Sequence, residues 1–536
     1  MAGGVKAAAR RTDGEVRVNA PAGALRGYRE NGLRVFKGVP YARPPVGAYR
    51  WRPPAPMPVW SGVRDATRFG PACPQPPSRP GSLYAPELPG QHEDCLTLNI
   101  WTPEEARRAP VFVYLHGGAL NTGGGAEPML DGAALARRGL VVVTLNYRLA
   151  VLGYLAHPAL SAESPQGVSG NYGLLDQIAA LRWVRDNISA FGGDPDAVTV
   201  AGESAGALSV LYLLASPLAR GLFHRAVAQS AYLISHPALS RADCGEPPAE
   251  EIGERLVHAL GARDLDALRA LDAHTLTRAA ARAGYAPLGT VDGRVLPRQL
   301  LDVFERGEQA PVPVLAGFNS GEVRSLRFLL PPPPADAGAY EAAVRRGYGD
   351  LAEDFLRLYP AADGEESRLA ALRDALYGWT ADRLGRACAA LGQDAWLYLF
   401  DHGYAAANDR GLHGFHAAEI PYVFGTAART TPLWPRIPDR EEERRLSRAL
   451  GDYWAAFARD GRPIADGQPR WPAYAEHPRG RWLRVAAAPT PVVDPLPGHF
   501  ALHDSLVRRR RRAGDIPWNW NIGCAAPPLA GTSETP

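Results

Sequence analysis

Cysteine is scarce: five in 536 residues (Cys73, Cys95, Cys244, Cys388 and Cys524), with no C-x-x-C spacing among them. Neither a zinc site nor a dense disulfide framework is indicated, and no metal or cofactor is expected. Long apolar runs are lacking as well. No stretch reaches the length of a membrane span, and the opening MAGGVKAAARRTDGEVRV has basic residues without the continuous apolar core of a secretory signal. A cytoplasmic protein is expected, or a secreted one if the N-terminus was trimmed. Charge of one sign is also missing. The net charge is +3 and the run Arg508 to Arg512 alone carries five positive charges, so the rest is near neutral. No aromatic residues are interleaved with basic ones, so the run reads as a solvated tail and not as a nucleic-acid surface.

The remaining composition is that of a large globular protein, 46% hydrophobic and 21% charged, with 56 Gly and 50 Pro that imply many turns and ordered loops. No low-complexity linker divides it. One domain over 13–506 is expected, with a flexible N-terminus over 1–12 and an Arg-rich tail over 507–536 whose Trp518 and Trp520 dock partly on the body. A monomer or weak homodimer is expected.

The stretch EVRVNAPAGALRGYRENGLRVFKGVPYA alternates polar and apolar residues, which predicts short antiparallel strands joined by Gly and Asn turns. The pattern then changes. VFVYLHG (111–117), LVVVTLNY (140–147) and AVTVAG (197–202) are apolar, β-branched runs suited to strands buried on both faces. DGAALARRG and LLDQIAALRWVRDNI between them have helical spacing, so the order is that of an α/β fold with a mostly parallel sheet flanked by helices. RAVAQS (225–230), PVPVLAGFN (311–319) and AWLYLFDH (395–402) supply further strands. FLLPPPPADAG (328–338) must be a loop, because consecutive prolines lack backbone donors, and the region from Arg324 to Asp394 reads as cap-like helices.

The segment AGESAG (201–206) has the G-x-S-x-G spacing, a weak signal alone because Gly and Ser are common turn formers. Its context strengthens it. A buried strand precedes Ser204 and the apolar ALSVLYLLAS follows, which is the strand-to-helix setting of a nucleophile elbow. A serine nucleophile needs a base, an acid to orient the base, and donors for the oxyanion. Strand VFVYL runs into His116-Gly117-Gly118-Ala119, a loop of the HGGG type, so the backbone N–H groups of Gly118, Ala119 and Ala205 are the expected donors. Chain order places the acid and then the histidine after Ser204. Spacing alone does not choose among the six histidines that follow Glu322, namely His402, His413, His416, His477, His499 and His503.

Several stretches in order make the chain similar to the type-B carboxylesterases, to which cholinesterases and p-nitrobenzyl esterases belong. They are FKGVPYARPPVGAYRW, EDCLTLNIWTP, HGGA, NYRL, GNYGLLDQIAALRWVRDNISAFGGDP, GESAGA and EIPYVFG. The resemblance implies an α/β-hydrolase fold with a small N-terminal antiparallel sheet and cap-like insertions, and serine-dependent ester hydrolysis. It implies Glu322 in GFNSGEVR as the acid, although Gly321 and Val323 depart from the family's usual Asp and Gly, and His416 in GFHAAEIPYVFG as the base, with His413 the rival. It implies support for the triad from Ser230 and Glu203, loop-bracing ion pairs Arg43–Glu93 and Arg148–Asp176, and a disulfide between Cys73 and Cys95. Leu120 stands where the family usually carries an aromatic residue, so an altered wall beside the oxyanion is expected.

The expected substrate is a small-molecule carboxylic ester, cleaved through an acyl-enzyme on Ser204. Two other readings use the same fold. A biosynthetic acyltransferase or cyclase would keep the triad and pass the acyl group to a hydroxyl or amine, and a noncatalytic binding protein of cholinesterase type would lack a triad residue.

Overall fold

The computed structural model describes residues 12–514, 517, 518 and 526. What was expected of residues 1–11, Trp520 and Cys524 lies outside them. Strands β1 (Thr12–Ala20), β2 (Gly23–Glu30) and β3 (Leu33–Pro40) form an antiparallel meander. Asn31 and Gly32, with φ of 51° and 75°, make the tight turn between the last two. Positive φ at both turn residues matches the right-handed twist of the strands. The meander extends the central sheet, because β3 pairs antiparallel with β5 (Thr97–Pro103), while β4 (Val63–Asp65) adds to β2 off the edge.

The rest of the sheet is β6 (Ala109–Leu115), β7 (Val141–Leu145), β8 (Gly193–Glu203), β9 (Arg225–Gln229), β10 (Val314–Asn319), β11 (Ala395–Phe400), β12 (Arg481–Val485) and β13 (Pro489–Val493). The path is β1-β2-β3-β5-β7-β6-β8-β9-β10-β11-β12-β13, parallel from β7 through β12 and antiparallel at both ends. Every residue of β7, β10 and β11 is buried, as expected for parallel strands covered on both faces. This is the α/β-hydrolase fold.

The helices that matter here are α1 (Tyr172–Asn187), α2 (Ala205–Ala215), α3 (Ala337–Tyr348), α4 (Gly364–Arg373), α5 (Trp379–Ala390), α6 (Glu441–Asp460) and α7 (His499–Ala513). Helices of the stretch from 324 to 394 lie over the sheet: α5 packs on β10 and β11, because its buried face of Trp379, Leu384 and Cys388 needs the sheet. One expectation needs correction. The boundary at 506 falls inside α7. Leu502 and Leu506 join a small core with Tyr340, Val344 and Phe355, and Arg510 is 1% exposed.

The arginine run is therefore not a solvated tail. Arg509 pairs with Asp350, and Arg511 with Asp302 and with Glu305 at 2.7 Å. Acidic partners await each on other elements, and cations suit the last turn of a helix. Beyond it, Trp518 is buried with its ring edge-on to Trp379 at 6.4 Å, as the expected docking requires.

Candidate active site

Strand β8 ends at Glu203 and α2 begins at Ala205, leaving Ser204 on a turn of one residue with φ 56° and ψ −123°. Such a conformation costs a non-glycine residue about 1–3 kcal/mol, so it persists only where the surroundings impose it. They do so here. A Cβ on Gly202 would overlap the Gly206 backbone, and one on Gly206 would overlap the Leu115 carbonyl oxygen. Ser204 N–H donates to Gln229 O at 2.9 Å and Leu208 N–H to Ser204 O at 2.9 Å, which fixes the turn at both ends.

The loop after β6 supplies a second concavity. Gly118, Ala119 and Leu120 have φ of 103°, 55° and 58°, a run of positive values in the backbone that carries the expected donor N–H groups. His116 braces this loop from beneath. Its ring stacks on Tyr147 at 4.4 Å, the Tyr147 hydroxyl donates to His116 O at 2.8 Å, and burial lowers its pKa to about 4, which keeps it neutral. Leu120 is 1% exposed and belongs to the main core, so the side chain expected to reshape the wall points into packed interior.

Glu322 opens a short helical turn just past β10 and is fully buried. Its carboxylate accepts from Asn319 N–H at 2.8 Å, from Ser230 Oγ at 2.5 Å and from His416 Nδ1. The departure at Gly321 has a local cause. Gly321 N–H donates to Gly414 O at 2.7 Å, and a Cβ there would lie 2.5 Å from Leu412 O. The loops bearing Glu322 and His416 approach too closely for any side chain. His413 is exposed, so the rival histidine faces away.

His416 is held between two carboxylates. Opposite Glu322, its Nε2 lies 3.1 Å from Glu203 Oε1, and no hydrogen bond joins His416 to Ser204 among the described residues. Burial lowers the affinity of the ring for a proton, but Glu203 and then Glu322 raise it further, to a pKa of about 9. Glu203 itself is raised to about 8, chiefly by burial, with His416 acting against. Glu203 thus touches the imidazole directly. Behind it Glu419 is buried, accepts from Gln229 Nε2 at 2.9 Å and Asn319 Nδ2 at 2.6 Å, and is raised mainly by burial.

Tyr84 and Tyr377 flank the imidazole, with ring centroids 6.0 and 5.5 Å away. Sequence reasoning missed both, and also missed Glu419, Gln229 and Asn319. EIPYVFG and AVAQSA contained Glu419 and Gln229 as landmarks only, and GFN held Asn319, whereas nothing in spacing singles out the tyrosines.

Of the bracing pairs, Arg148–Asp176 is present and bidentate, with both bonds 2.7 Å long. Arg43–Glu93 is not. Arg43 is exposed, and Glu93 is held bidentately by Arg50 at 2.7 and 2.6 Å. Arg50 is buried and its Nη1 also reaches the carbonyls of Leu268, Arg269 and Leu271, partners that Arg43 cannot meet from outside. Cys73 and Cys95 are brought together but remain thiols. The hydrogen bond to Cys73, then burial, hold the Cys95 thiol well above its ordinary pKa, which disfavours the thiolate that disulfide exchange needs. Among the described residues no cluster of His, Cys, Asp and Glu is arranged to hold a metal ion, and no helix is long and apolar enough to cross a membrane.

The sequence profile of the carboxylesterase family matches residues 14–496. The chain is 38% identical over 490 residues to the fumonisin B1 esterase of Sphingopyxis macrogoltabida, covering 88% of this chain and 86% of that one. It is 37% identical over 474 residues to the para-nitrobenzyl esterase of Bacillus subtilis, covering 85% and 92%. A solved p-nitrobenzyl esterase structure superposes with a TM-score of 0.78 at 34% identity, over 91% of this chain and 99% of that one. A carboxylesterase of Geobacillus stearothermophilus superposes equally well, TM-score 0.78 at 35% identity, with the same coverage.

Proposed function

Since the chain belongs to the carboxylesterase family and is a carboxylic ester hydrolase, we propose that Ser204 attacks the ester carbonyl, that His416 takes its proton, and that Glu322 orients the imidazole. The observation that carries this is the buried Glu322–His416 pair beside a serine forced into a left-handed elbow. As the carbonyl carbon becomes tetrahedral, its oxygen gains negative charge opposite the N–H groups of Gly118, Ala119 and Ala205. One such donor is worth roughly 3 kcal/mol of barrier. His416 then gives the proton to the leaving alcohol, and a water repeats the sequence to release the acid. The absence of a Ser204–His416 bond in the resting structure is compatible with this role, because catalytic hydrogen bonds commonly tighten only when substrate binds.

The substrates are small-molecule esters. The printed names of relatives, an esterase for fumonisin B1 and one for p-nitrobenzyl esters, favour water as acyl acceptor over a transfer reaction. A cytoplasmic location suits the buried thiols of Cys73 and Cys95, which a reducing compartment preserves. The test is covalent. A fluorophosphonate should add one phosphonyl group to Ser204, seen by peptide mass spectrometry, and Ser204→Ala should lose both the adduct and hydrolysis of p-nitrophenyl acetate. Full hydrolysis by Ser204→Ala would overturn the assignment.

A further inference from the structure

The acid and the base arrive on separate loops, 94 residues apart in sequence, and their carboxylate–imidazole contact exists only if those loops keep their relative position. Several direct links hold them, among them Gly321 N–H to Gly414 O at 2.7 Å, Asn319 Nδ2 to Phe415 O at 2.8 Å and Arg324 Nη1 to Gly411 O at 3.2 Å. A further link comes from elsewhere. Tyr84 lies on the long connection between β4 and β5. Its hydroxyl donates to the backbone carbonyl of His416 at 3.0 Å and accepts from Ser325 Oγ at 2.6 Å. Ser325 ends the turn that Glu322 begins.

One phenol therefore touches the acid's turn and the base's backbone together. Its ring is seated for that purpose, edge-on to Trp434 at 5.9 Å and to the His416 imidazole at 6.0 Å. The adjacent Leu83 carbonyl is tied to Thr431 Oγ1. Nearby, the Arg79 guanidinium sits 3.9 Å over the exposed Phe328 ring, joining the same connection to the segment after Glu322.

We propose that Tyr84 is a positioning residue, which holds the His416 backbone against the Glu322 turn and so sets the geometry of the acid–base pair. The inference rests on the reading of Glu322 and His416 as acid and base. Tyr84 acts through backbone and Ser325, and has no part in proton transfer. A consequence is that the β4–β5 connection is a component of the catalytic apparatus, since its displacement would loosen the pair.

The test is Tyr84→Phe, which keeps the ring and removes both hydrogen bonds. With p-nitrophenyl acetate, kcat should fall about ten- to a hundredfold, the range that a misplacement near 1 Å produces, while KM stays within twofold. The downfield proton resonance of the His416 Nδ1–Glu322 hydrogen bond should shift or broaden. Ser325→Ala, which leaves the aromatic seat untouched, should lower kcat in the same direction, and the double variant should lose less than the two single losses combined. Wild-type kcat and an unchanged resonance in Tyr84→Phe would overturn the inference, as would a loss confined to KM. Should Tyr84→Phe fail to fold, Ser325→Ala decides the matter by the same two readouts. If Glu322→Gln and His416→Ala kept full activity, the acid–base reading would fall instead, so the two failures are distinguishable.

Discussion

Replacing Glu203 by Gln should move the pH dependence of catalysis and not merely scale it. In the wild-type site His416 titrates near pH 9, because the upward pull of Glu203, 3.1 Å from Nε2, and of Glu322 outweighs burial. A general base must be neutral to accept the serine proton, so at pH 7 only about 1% of such a histidine is ready. Glutamine keeps the shape and hydrogen-bonding reach but cannot carry charge. Burial then opposes Glu322 and Glu419 without Glu203, and the midpoint of kcat/KM against pH should fall by roughly one to two pH units, each worth about 1.4 kcal/mol. Above pH 8, where the wild-type Glu203 is ionised, the variant should be slower by about tenfold, because the imidazolium formed in the transition state has lost a neighbouring anion.

The two profiles should therefore cross, with Glu203→Gln equal to or faster than wild type near pH 6.5 and slower at pH 9. Stability gives a second readout. The folded-state pKa of Glu203 is raised to about 8 from an ordinary 4.5, so the unfolded chain releases this proton first and wild-type stability declines as pH rises through that window. His416 acts with the same sign, its contribution being complete below pH 6.5 and lost as pH rises through about 9. In Glu203→Gln the part due to Glu203 should vanish, which urea denaturation at pH 5 and pH 8.5 would register. A variant profile with the wild-type midpoint, reduced by a constant factor at every pH, would refute the reasoning.

Gly206→Ala should lower kcat/KM by about a hundredfold or more and reduce the melting temperature, because the added methyl meets the Leu115 carbonyl oxygen and must displace the elbow; activity within twofold of wild type would show that the elbow has slack. Arg50→Ala should destabilise the fold by about 3–5 kcal/mol in a urea titration, since it strands Glu93 and frees three carbonyls. Arg43→Ala should change stability by less than about 0.5 kcal/mol, and the reverse order would contradict the pairing described above.

The elements legible in the sequence were those whose signal is local. VFVYL, VVVTL and AVTVAG announce buried parallel strands because both faces are apolar, and β6, β7 and β8 stand there. The elbow was legible because its G-x-S-x-G spacing sits between a buried strand and an apolar helix, and Gly202 answers a steric demand within five residues. Features that depend on tertiary approach were not. Arg43 and Arg50 are equally arginine in a string of letters, and only the fold decides which faces inward. The arginine run looked solvated because its partners, Asp302, Glu305 and Asp350, lie more than 150 residues away. Glu203 was placed near the triad, but its contact with the imidazole could not be read from its being next to Ser204.

The arrangement of carboxylates explains why the site rests as it does. Glu203, Glu322 and Glu419 lie around one imidazole, all buried, and three negative charges so close cannot persist together away from water. Glu322 receives three hydrogen bonds, whereas Glu203, 3.1 Å from the histidine, is pushed toward the neutral form chiefly by burial. The histidine proton and the Glu203 proton are consequently linked: each state of one changes the other, and the pair titrates as a unit. In the proposed mechanism an ester that enters over Ser204 alters this balance. It brings an oxygen that will become an anion beside the Gly118–Ala119 turn and gives Nε2 a reason to leave Glu203 for the serine hydroxyl. The move of Nε2 from its 3.1 Å contact with a carboxylate to the Ser204 hydroxyl is, in that mechanism, the step that frees it to act as a base, and the elbow, with φ 56° at Ser204, fixes the backbone that presents the hydroxyl.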